Sequence, residues 1–182
     1  VIILRQISGN STDLVRRAVE SLESQGAQSY VLDIRDVPGG YLSQAVEIAN
    51  LFVRNGIIVQ IQTNSGISTR QASGEVVTDK PLAVLVNENT SAAAEVLASA
   101  LQDNQRATLV GQTTMGKGSV QVLRELSFGG ALRYTAAYYL SPQGRAIDGL
   151  GVAPDIIVDR EEGAADNQLS LAIETAQSSI AG

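Results

Sequence analysis

Apolar and polar positions follow two different periods along this chain. Short apolar runs bounded by turn residues are typical of buried strands, and apolar residues three or four positions apart are typical of helices. Because the two patterns alternate and hairpins interrupt them, the sequence predicts an α/β fold in which helices flank a mixed β-sheet. Strands are predicted at 1–7, 30–34, 57–63, 67–72, 82–86, 108–110, 120–126, 132–140 and 152–158. Helices are predicted at about 11–25, 45–52, 91–104 and 167–180.

The chain is long enough for one globular domain and shows no internal repeat. It has 182 residues, of which 44% are hydrophobic and 18% are charged, a composition that fits a packed core. No apolar run reaches the roughly 18 residues of a membrane-spanning helix, and the first residues do not form a charged-then-apolar leader. We therefore expect a soluble single domain at 1–182, with one linker-like stretch at 159–166.

The charge and the missing residue types exclude several classes of function. Thirteen basic and nineteen acidic residues give a formal net charge of −6. The sequence shows neither a basic stripe nor an aromatic platform, which argues against nucleic-acid binding. The chain has no cysteine and no histidine. This excludes thiol nucleophiles, disulfides, zinc sites built on those residues and triads with an imidazole base.

The segment 111–118 nearly matches a phosphate-binding loop. It has two glycines at the right interval, and Lys117 follows the second. That motif needs Ser or Thr after the lysine and then a helix, whereas this chain has Gly118 followed by the alternating pattern of a strand. We therefore reject nucleotide binding.

Lys117 is the candidate general base. The chain has two lysines, Lys80 and Lys117, and its other basic residues are arginines, which cannot lose a proton near neutral pH. Glycines leave room around Lys117, and the apolar strand that follows would desolvate its amine. If that strand starts at 117, Gln121 lies on the same face, and its amide oxygen would orient the amine. The simpler alternative is an ordinary surface lysine and a solvent-facing glutamine.

The strand-to-helix junction at 87–95 is the candidate place for a nucleophile. The first N–H groups of a helix lack intrahelical partners, so they can bind a developing oxyanion. The loop Pro38-Gly39-Gly40, also at the end of a strand, would supply a second donor; otherwise it is a plain turn. Neither segment implies a metal or an organic cofactor.

Several ordered blocks of the sequence carry one family resemblance. They are 33–40, 87–95, 100–103, 111–121, Tyr138, Pro142, Gly144, Arg145 and 149–155. In these blocks the chain resembles the carboxyl-terminal processing peptidases, tail-specific serine proteases that use a Ser-Lys dyad. The resemblance implies that Lys117 is the base and that Gln121 orients it. It also implies that N–H groups of Gly39 or Gly40 and of Ala93 receive the oxyanion.

The same resemblance implies a fold and a setting. The core is expected to be ClpP/crotonase-like, and the activity to be endoproteolysis of unfolded proteins near their C-termini without a cofactor. The compartment is expected to be extracytoplasmic, such as the periplasm, the cell envelope or the thylakoid lumen. Family members carry a PDZ domain ahead of the catalytic segment, and none is recognisable in 1–182, which predicts a trimmed core or a naturally short homologue.

Residue 92 departs from the family pattern. In the family the nucleophilic serine stands three residues before a glutamate, and three residues before Glu95 this chain has Ala92. Alanine has no oxygen that can attack a carbonyl, so we expect the chain to be catalytically inactive. Three explanations compete: a serine deliberately replaced by alanine, a natural pseudo-protease, or a nucleophile moved to Ser91. We favour the first, because Lys117, Gln121 and both glycine-rich loops are still present in the sequence. Ser91 is the weakest candidate, since moving one position rotates the side chain by about 100° and since Ser91 suits a helix cap.

Other functions and partners stay open. The rival function is a non-cleaving module that binds an extended peptide by strand addition. Acyl-coenzyme A chemistry, a third class, has no adenine-binding signature in the sequence. A homo-oligomer is compatible with the resemblance. Asp103, near the end of a predicted helix, is assigned a structural role, with nearby backbone or an arginine such as Arg106 as its partner.

Overall fold

The computed structural model describes residues 1–161, 163 and 165–180. In this part of the chain, helices and strands alternate as the sequence predicts. The elements are β1 (Ile2–Ile3), α1 (Ser11–Ser24), β2 (Tyr30–Asp33), α2 (Leu42–Asn50), β3 (Ile57–Thr63), β4 (Gly66–Gln71), β5 (Leu82–Val86), α3 (Ala93–Asp103), β6 (Thr108–Gly111), β7 (Ser119–Glu125), β8 (Ala131–Leu140), β9 (Ile156–Ile157) and α4 (Asn167–Ser178).

Five strands form a parallel sheet in the order β1-β2-β5-β6-β9. Its central strands β2 and β5 are buried along their whole length, as is usual for a parallel sheet covered on both faces. Alternate residues of a strand point to opposite faces. Leu32 and Val84 belong to the large core that α1, α2 and α3 cover, whereas Val31 and Leu85 pack in the smaller cluster beneath α4. The parallel sheet is therefore the middle of three layers.

Four strands form a separate antiparallel sheet in the order β4-β3-β8-β7. β3 connects this sheet to the core, since Ile58 and Val59 are fully buried and the strand packs against α3. β4 is exposed at every residue, as its polar sequence predicts. Most residues of β7 and β8 are also exposed, so the antiparallel sheet contributes little to the core.

The predicted fold class is confirmed, although its parallel and antiparallel strands separate into two sheets. The first and last predicted strands are too long. After Ile3 the chain leaves the sheet edge, and Ile7 forms an isolated bridge to Gly40. Pro154 has no N–H group to donate to a strand ladder, and β9 is limited to Ile156–Ile157.

The remaining expectations concern helix ends and the linker. The helix expected near 45–52 ends at Asn50, although Leu51 and Phe52 beyond it are still buried. The linker-like stretch at 159–166 contains residues 162 and 164, which lie outside the described residues. In the described ranges, no helix combines the length and the apolar character needed to cross a membrane.

Candidate functional site

Three loops meet at the carboxyl edge of the parallel sheet. They follow β2, β5 and β6 and comprise residues 34–41, 87–92 and 112–118. Ligand sites of open α/β sheets lie at this edge, because parallel strands direct their following loops to the same side. The loops contain the residues selected from the sequence except Ala93, which begins α3, and Gln121, which lies on β7.

Ala92 forms a tight turn between β5 and α3. It is the N-cap residue of the helix and has φ 52° and ψ −119°. A non-glycine residue with this backbone conformation costs about 1–3 kcal/mol and persists only where its neighbours hold it. A strand-to-helix turn of this kind leaves its side chain open to approach. An unusual backbone geometry therefore coincides with the residue at which the sequence predicts the nucleophile.

Close contacts with Ala92 and Ile7 explain why two glycines follow Pro38. Gly39 has φ 104°, and a Cβ atom on it would lie 2.8 Å from the Cβ atom of Ala92. Gly40 has φ 137°, and a Cβ atom on it would lie 1.9 Å from the carbonyl oxygen of Ile7. Both positions therefore require glycine. The predicted donor loop touches the predicted nucleophile position.

Unpaired backbone N–H groups lie next to Ala92. Throughout the part of the chain that the structure describes, the N–H groups of Gly39, Gly40 and Ala93 donate no hydrogen bond. The first and last of these are close together, since a Cβ atom on Gly39 would lie 3.4 Å from the Ala93 nitrogen. Ala93 also begins α3, and the N-terminus of a helix favours negative charge. These donors can therefore bind an anion beside residue 92.

The side chain of Glu95 joins the Ala92 turn to the loop of Lys117. It is completely buried. Its Oε2 atom accepts hydrogen bonds from the N–H groups of Ala92 at 2.9 Å and Lys117 at 2.7 Å. Its Oε1 atom accepts from the N–H group of Gly116 at 2.7 Å and the hydroxyl of Thr114 at 2.5 Å. Because one oxygen binds both backbones, residues 92 and 117 are neighbours.

The side chain of Lys117 has no partner within the described ranges. The residue is exposed, and its Nζ atom takes part in none of the hydrogen bonds or ion pairs there. The protein alone therefore does not provide the shelter that the sequence analysis expects for this amine. Lys80, by contrast, donates to Glu23 at 2.5 Å and to the carbonyl of Ala27 at 2.6 Å. Lys117 is the lysine that stays accessible to a bound molecule.

Gln121 is bonded to β8 and not to Lys117. β7 begins at Ser119, so Lys117 is not part of the strand, and the register with β8 shifts between Val120 and Gln121. Because Lys117 lies outside β7, counting in steps of two from it does not give the face on which Gln121 lies. Its Nε2 atom donates to Thr135 Oγ1 at 2.7 Å. The orienting role of Gln121 stays a prediction.

Two polar clusters that the sequence analysis did not identify hold the first loop. Arg35 donates to both oxygens of Asp33 and both oxygens of Asp166, at 2.7 to 3.0 Å. Asp166 is the N-cap of α4, and the hydrogen bonds from Arg35 hold its pKa below the ordinary value. Asp36, which has φ 60°, is bonded to Asn87 on the second loop. The first loop is therefore fastened both to α4 and to the second loop.

Two expectations about neighbouring residues differ from the structure. Ser91 is not the helix cap, because the N-cap residue is Ala92 and the N–H group of Ala92 is bound by a side chain farther along α3. Asp103 pairs with Arg145 and not with Arg106, whose guanidinium donates to three backbone carbonyl groups instead. The helix begins at Ala93, two residues after the predicted start, and Asp103 ties its end to the turn after β8.

The arrangement suits proton transfer and oxyanion binding. It combines unpaired backbone donors, a buried glutamate that fixes two loops and an accessible amine. Within the described residues, 1–161, 163 and 165–180, no group of three or more His, Cys, Asp or Glu side chains is placed to hold a metal ion. The position at the centre of the site, residue 92, carries a methyl group.

Relatives in sequence share most of this chain. The sequence matches the peptidase family S41 over residues 1–158. It is 47% identical over 158 residues to a carboxyl-terminal-processing protease of Synechocystis sp., with 86% of this chain and 37% of that protein covered. It is 41% identical over 155 residues to the chloroplastic carboxyl-terminal-processing peptidase 2 of Arabidopsis thaliana, with 84% and 30% covered. The chain spans about a third of the length of these curated relatives.

A solved structure shares the fold. The photosystem II D1 C-terminal processing protease superposes with a TM-score of 0.82 at 38% identity, covering 86% of this chain and 41% of that one. The family match extends over residues 1–158, far more than half of the sequence. The chain therefore belongs to peptidase family S41.

Proposed function

We propose that this chain is the catalytic core of a serine endopeptidase that cleaves proteins near their C-termini, and that it is inactive as it stands. The observation that carries the proposal is the left-handed turn at Ala92, which lies against Gly39 and is joined by Glu95 to the loop of Lys117. An alanine at the turn leaves this arrangement without a nucleophile.

In a chain with serine at residue 92, the side chains divide the reaction as follows. The serine oxygen attacks the peptide carbonyl while the Lys117 amine takes the hydroxyl proton. N–H groups of Ala93 and of Gly39 or Gly40 stabilise the oxyanion. The C–N bond then breaks, Lys117 gives the proton to the leaving amine, and water hydrolyses the remaining ester. Gln121 holds the amine in place during these steps.

A bound substrate supplies the shelter that Lys117 lacks in the free chain. The residue is exposed, and a peptide lying across residue 92 would cover it. Excluding water from an amine favours its neutral form, which is the form that accepts a proton. The Ser-Lys pair is thus completed by the substrate.

The proposed substrates are unfolded or C-terminal polypeptide segments. Two relatives with 47% and 41% identity are named for carboxyl-terminal processing, which supports this substrate class. One of them is chloroplastic, and an extracytoplasmic compartment is proposed on the same resemblance. These proposals concern the whole protein. The two relatives are much longer than this chain, whose match covers 37% and 30% of them.

The test of this proposal supplies the nucleophile by replacing Ala92 with serine. Ala92→Ser is incubated with an unstructured protein that carries a C-terminal label, and we expect cleavage by this variant and none by the parent chain. Lys117→Arg in the same background keeps the positive charge but removes the base, so it should abolish cleavage. Lys80→Arg, the matched change at the other lysine, should leave cleavage intact.

The outcomes separate the proposal from its rival. Substrate that stays intact but still binds would favour a peptide-binding module. The longer relatives contain sequence that this chain lacks. A second form of the test therefore replaces the matching segment of the full-length Synechocystis protease with residues 1–158 of this chain carrying Ala92→Ser. Absence of cleavage in both forms would refute the peptidase proposal.

A further inference from the structure

A reciprocal contact fastens the loop after β2 to the loop after β5. The N–H group of Asp36 donates to Asn87 Oδ1 at 2.9 Å, and Asn87 Nδ2 donates back to Asp36 Oδ1 at 2.8 Å. Asn89 Nδ2 donates to the same carboxyl oxygen of Asp36 at 2.9 Å. We call these three residues the Asp36 latch. The latch joins the loop that contains Gly39 to the loop that contains Ala92.

The latch holds Asp36 in an uncommon backbone conformation. Its φ of 60° lies in the left-handed region, which Asp and Asn enter more readily than other non-glycine residues. Asn87 is 8% exposed, so its amide group is held inside the protein. The hydrogen bonds from Asn87 and then Asn89 lower the pKa of Asp36. An ionised acceptor makes such hydrogen bonds roughly twice as strong as neutral ones.

Two further hydrogen bonds beside the latch join the same two loops. The N–H group of Ser91 donates to the carbonyl of Val37 at 3.0 Å. The hydroxyl of Thr90 donates to the carbonyl of Ile34 at 3.0 Å. The two loops are therefore joined on both sides of Asp36.

The latch lies close to the candidate oxyanion donor. Only Val37 and Pro38 separate Asp36 from Gly39. Val37 is fully buried, and the ring of Pro38 fixes its own φ. With so short and stiff a connection, the conformation of Asp36 determines where the Gly39 N–H group lies relative to Ala92.

We propose that Asp36 is a positioning residue of the peptidase site, acting through Asn87 and Asn89 to place the Gly39 N–H group for the oxyanion. This inference rests on the proposed function. Asp36 touches no reacting atom. Its loss should therefore slow the chemical step and leave substrate binding nearly unchanged, because the oxyanion forms only in the transition state. Arg35 fastens the start of the loop independently, so the fold should survive.

The experiment compares two replacements in the Ala92→Ser background. Asp36→Gly accommodates the positive φ but removes the latch, and we expect kcat to fall about tenfold or more with KM changed less than about threefold. Asp36→Asn accommodates the same φ and keeps the oxygen that both amides reach, so it should restore most of the rate. Gln105→Gly is the matched control, since Gln105 has φ 54° at the opposite end of α3, and it should leave kcat unchanged.

Amide hydrogen exchange tests the latch without any activity. In the parent chain, Asp36→Gly should speed exchange in the segment 36–41, and Asp36→Asn should not. Unchanged exchange, an unchanged kcat, or equal losses for the two replacements would overturn the inference. A joint rise in KM and fall in thermal midpoint would show that Asp36 only supports the fold. Failure of Ala92→Ser to cleave, both in this chain and in the exchanged full-length protease, would refute the proposed function, and the hydrogen-exchange result would still decide the latch.

Discussion

The turn at Ala92 and the side chain of Lys117 differ in how firmly the protein holds them. The turn is bound by Glu95 and lies against Gly39, whereas the Lys117 side chain is exposed and has no bonded partner in the described part of the chain. One half of the candidate site is therefore built into the fold, and we propose that the other half is completed when a substrate binds. Stability measurements can test the first half, and activity measurements are needed for the second.

The largest effect is expected from Glu95→Gln. The amide keeps one acceptor oxygen but turns an NH₂ group toward backbone donors, and each buried group left without a partner costs about 1–3 kcal/mol. The free energy of unfolding should fall by about 3 kcal/mol, measured by urea denaturation. Lys117→Met removes an unbonded side chain and keeps the bonded N–H group, so it should change the value by less than about 0.5 kcal/mol. Similar losses of stability for Glu95→Gln and Lys117→Met would contradict the contrast between the firmly held turn and the unbonded lysine side chain.

A smaller effect is expected from Arg35→Met, which leaves Asp33 and Asp166 without their shared partner. Breaking this partly buried pair should cost about 2 kcal/mol. Arg35 holds the pKa of Asp166 below the unfolded value. The ionised side chain therefore contributes stability above about pH 4 that is lost as the pH falls through the folded pKa.

The measurement for that variant is the free energy of unfolding between pH 7 and pH 3. Arg35→Met should lose less stability over the acid part of this range than the parent chain. Arg54→Met is the control, because Arg54 and its partner Asp79 are 53% and 71% exposed, and exposed pairs contribute about 0–1 kcal/mol. A pH profile that Arg35→Met leaves unchanged would refute the role given to this pair.

The smallest expected changes in the free energy of unfolding have opposite signs at two alanines. Ala92→Gly relieves the left-handed backbone conformation and should raise the free energy of unfolding by about 0.5–1 kcal/mol. Ala18→Gly, in the middle of α1, should lower it by about 1 kcal/mol, because glycine is a poor helix former. Thermal denaturation of the two variants gives both values. A loss of stability at residue 92 would show that the turn is not strained.

Local signals explain how much of the fold could be predicted. β2 and β5 are continuous apolar runs and are buried at every residue, and α1 repeats its apolar residues at helical spacing. The rejection of a phosphate-binding loop depended on a strand after Gly118, and β7 is that strand. The closeness of residues 92 and 117 was implied by the family resemblance and not by local pattern.

The unpredicted parts of the site depend on contacts between distant residues. β7 begins only at Ser119, so the strand alternation from Lys117 on which the placement of Gln121 relied does not exist. Arg35 and Asp36 find partners far along the chain, on α4 and on the loop after β5. Glu95 could have been found, because a glutamate three residues after a helix N-cap often binds the N-cap N–H group. That spacing does not reveal its bonds to Thr114 and Gly116.

The turn at residue 92 has its unusual backbone conformation although it presents only a methyl group. Its geometry is therefore set by the main chain and the surrounding loops, and it does not depend on a reactive side chain. Under the proposed function, one codon change at residue 92 would switch reactivity on or off while the architecture persists. A protein of this kind would then pass between enzyme and inert homologue in a single step.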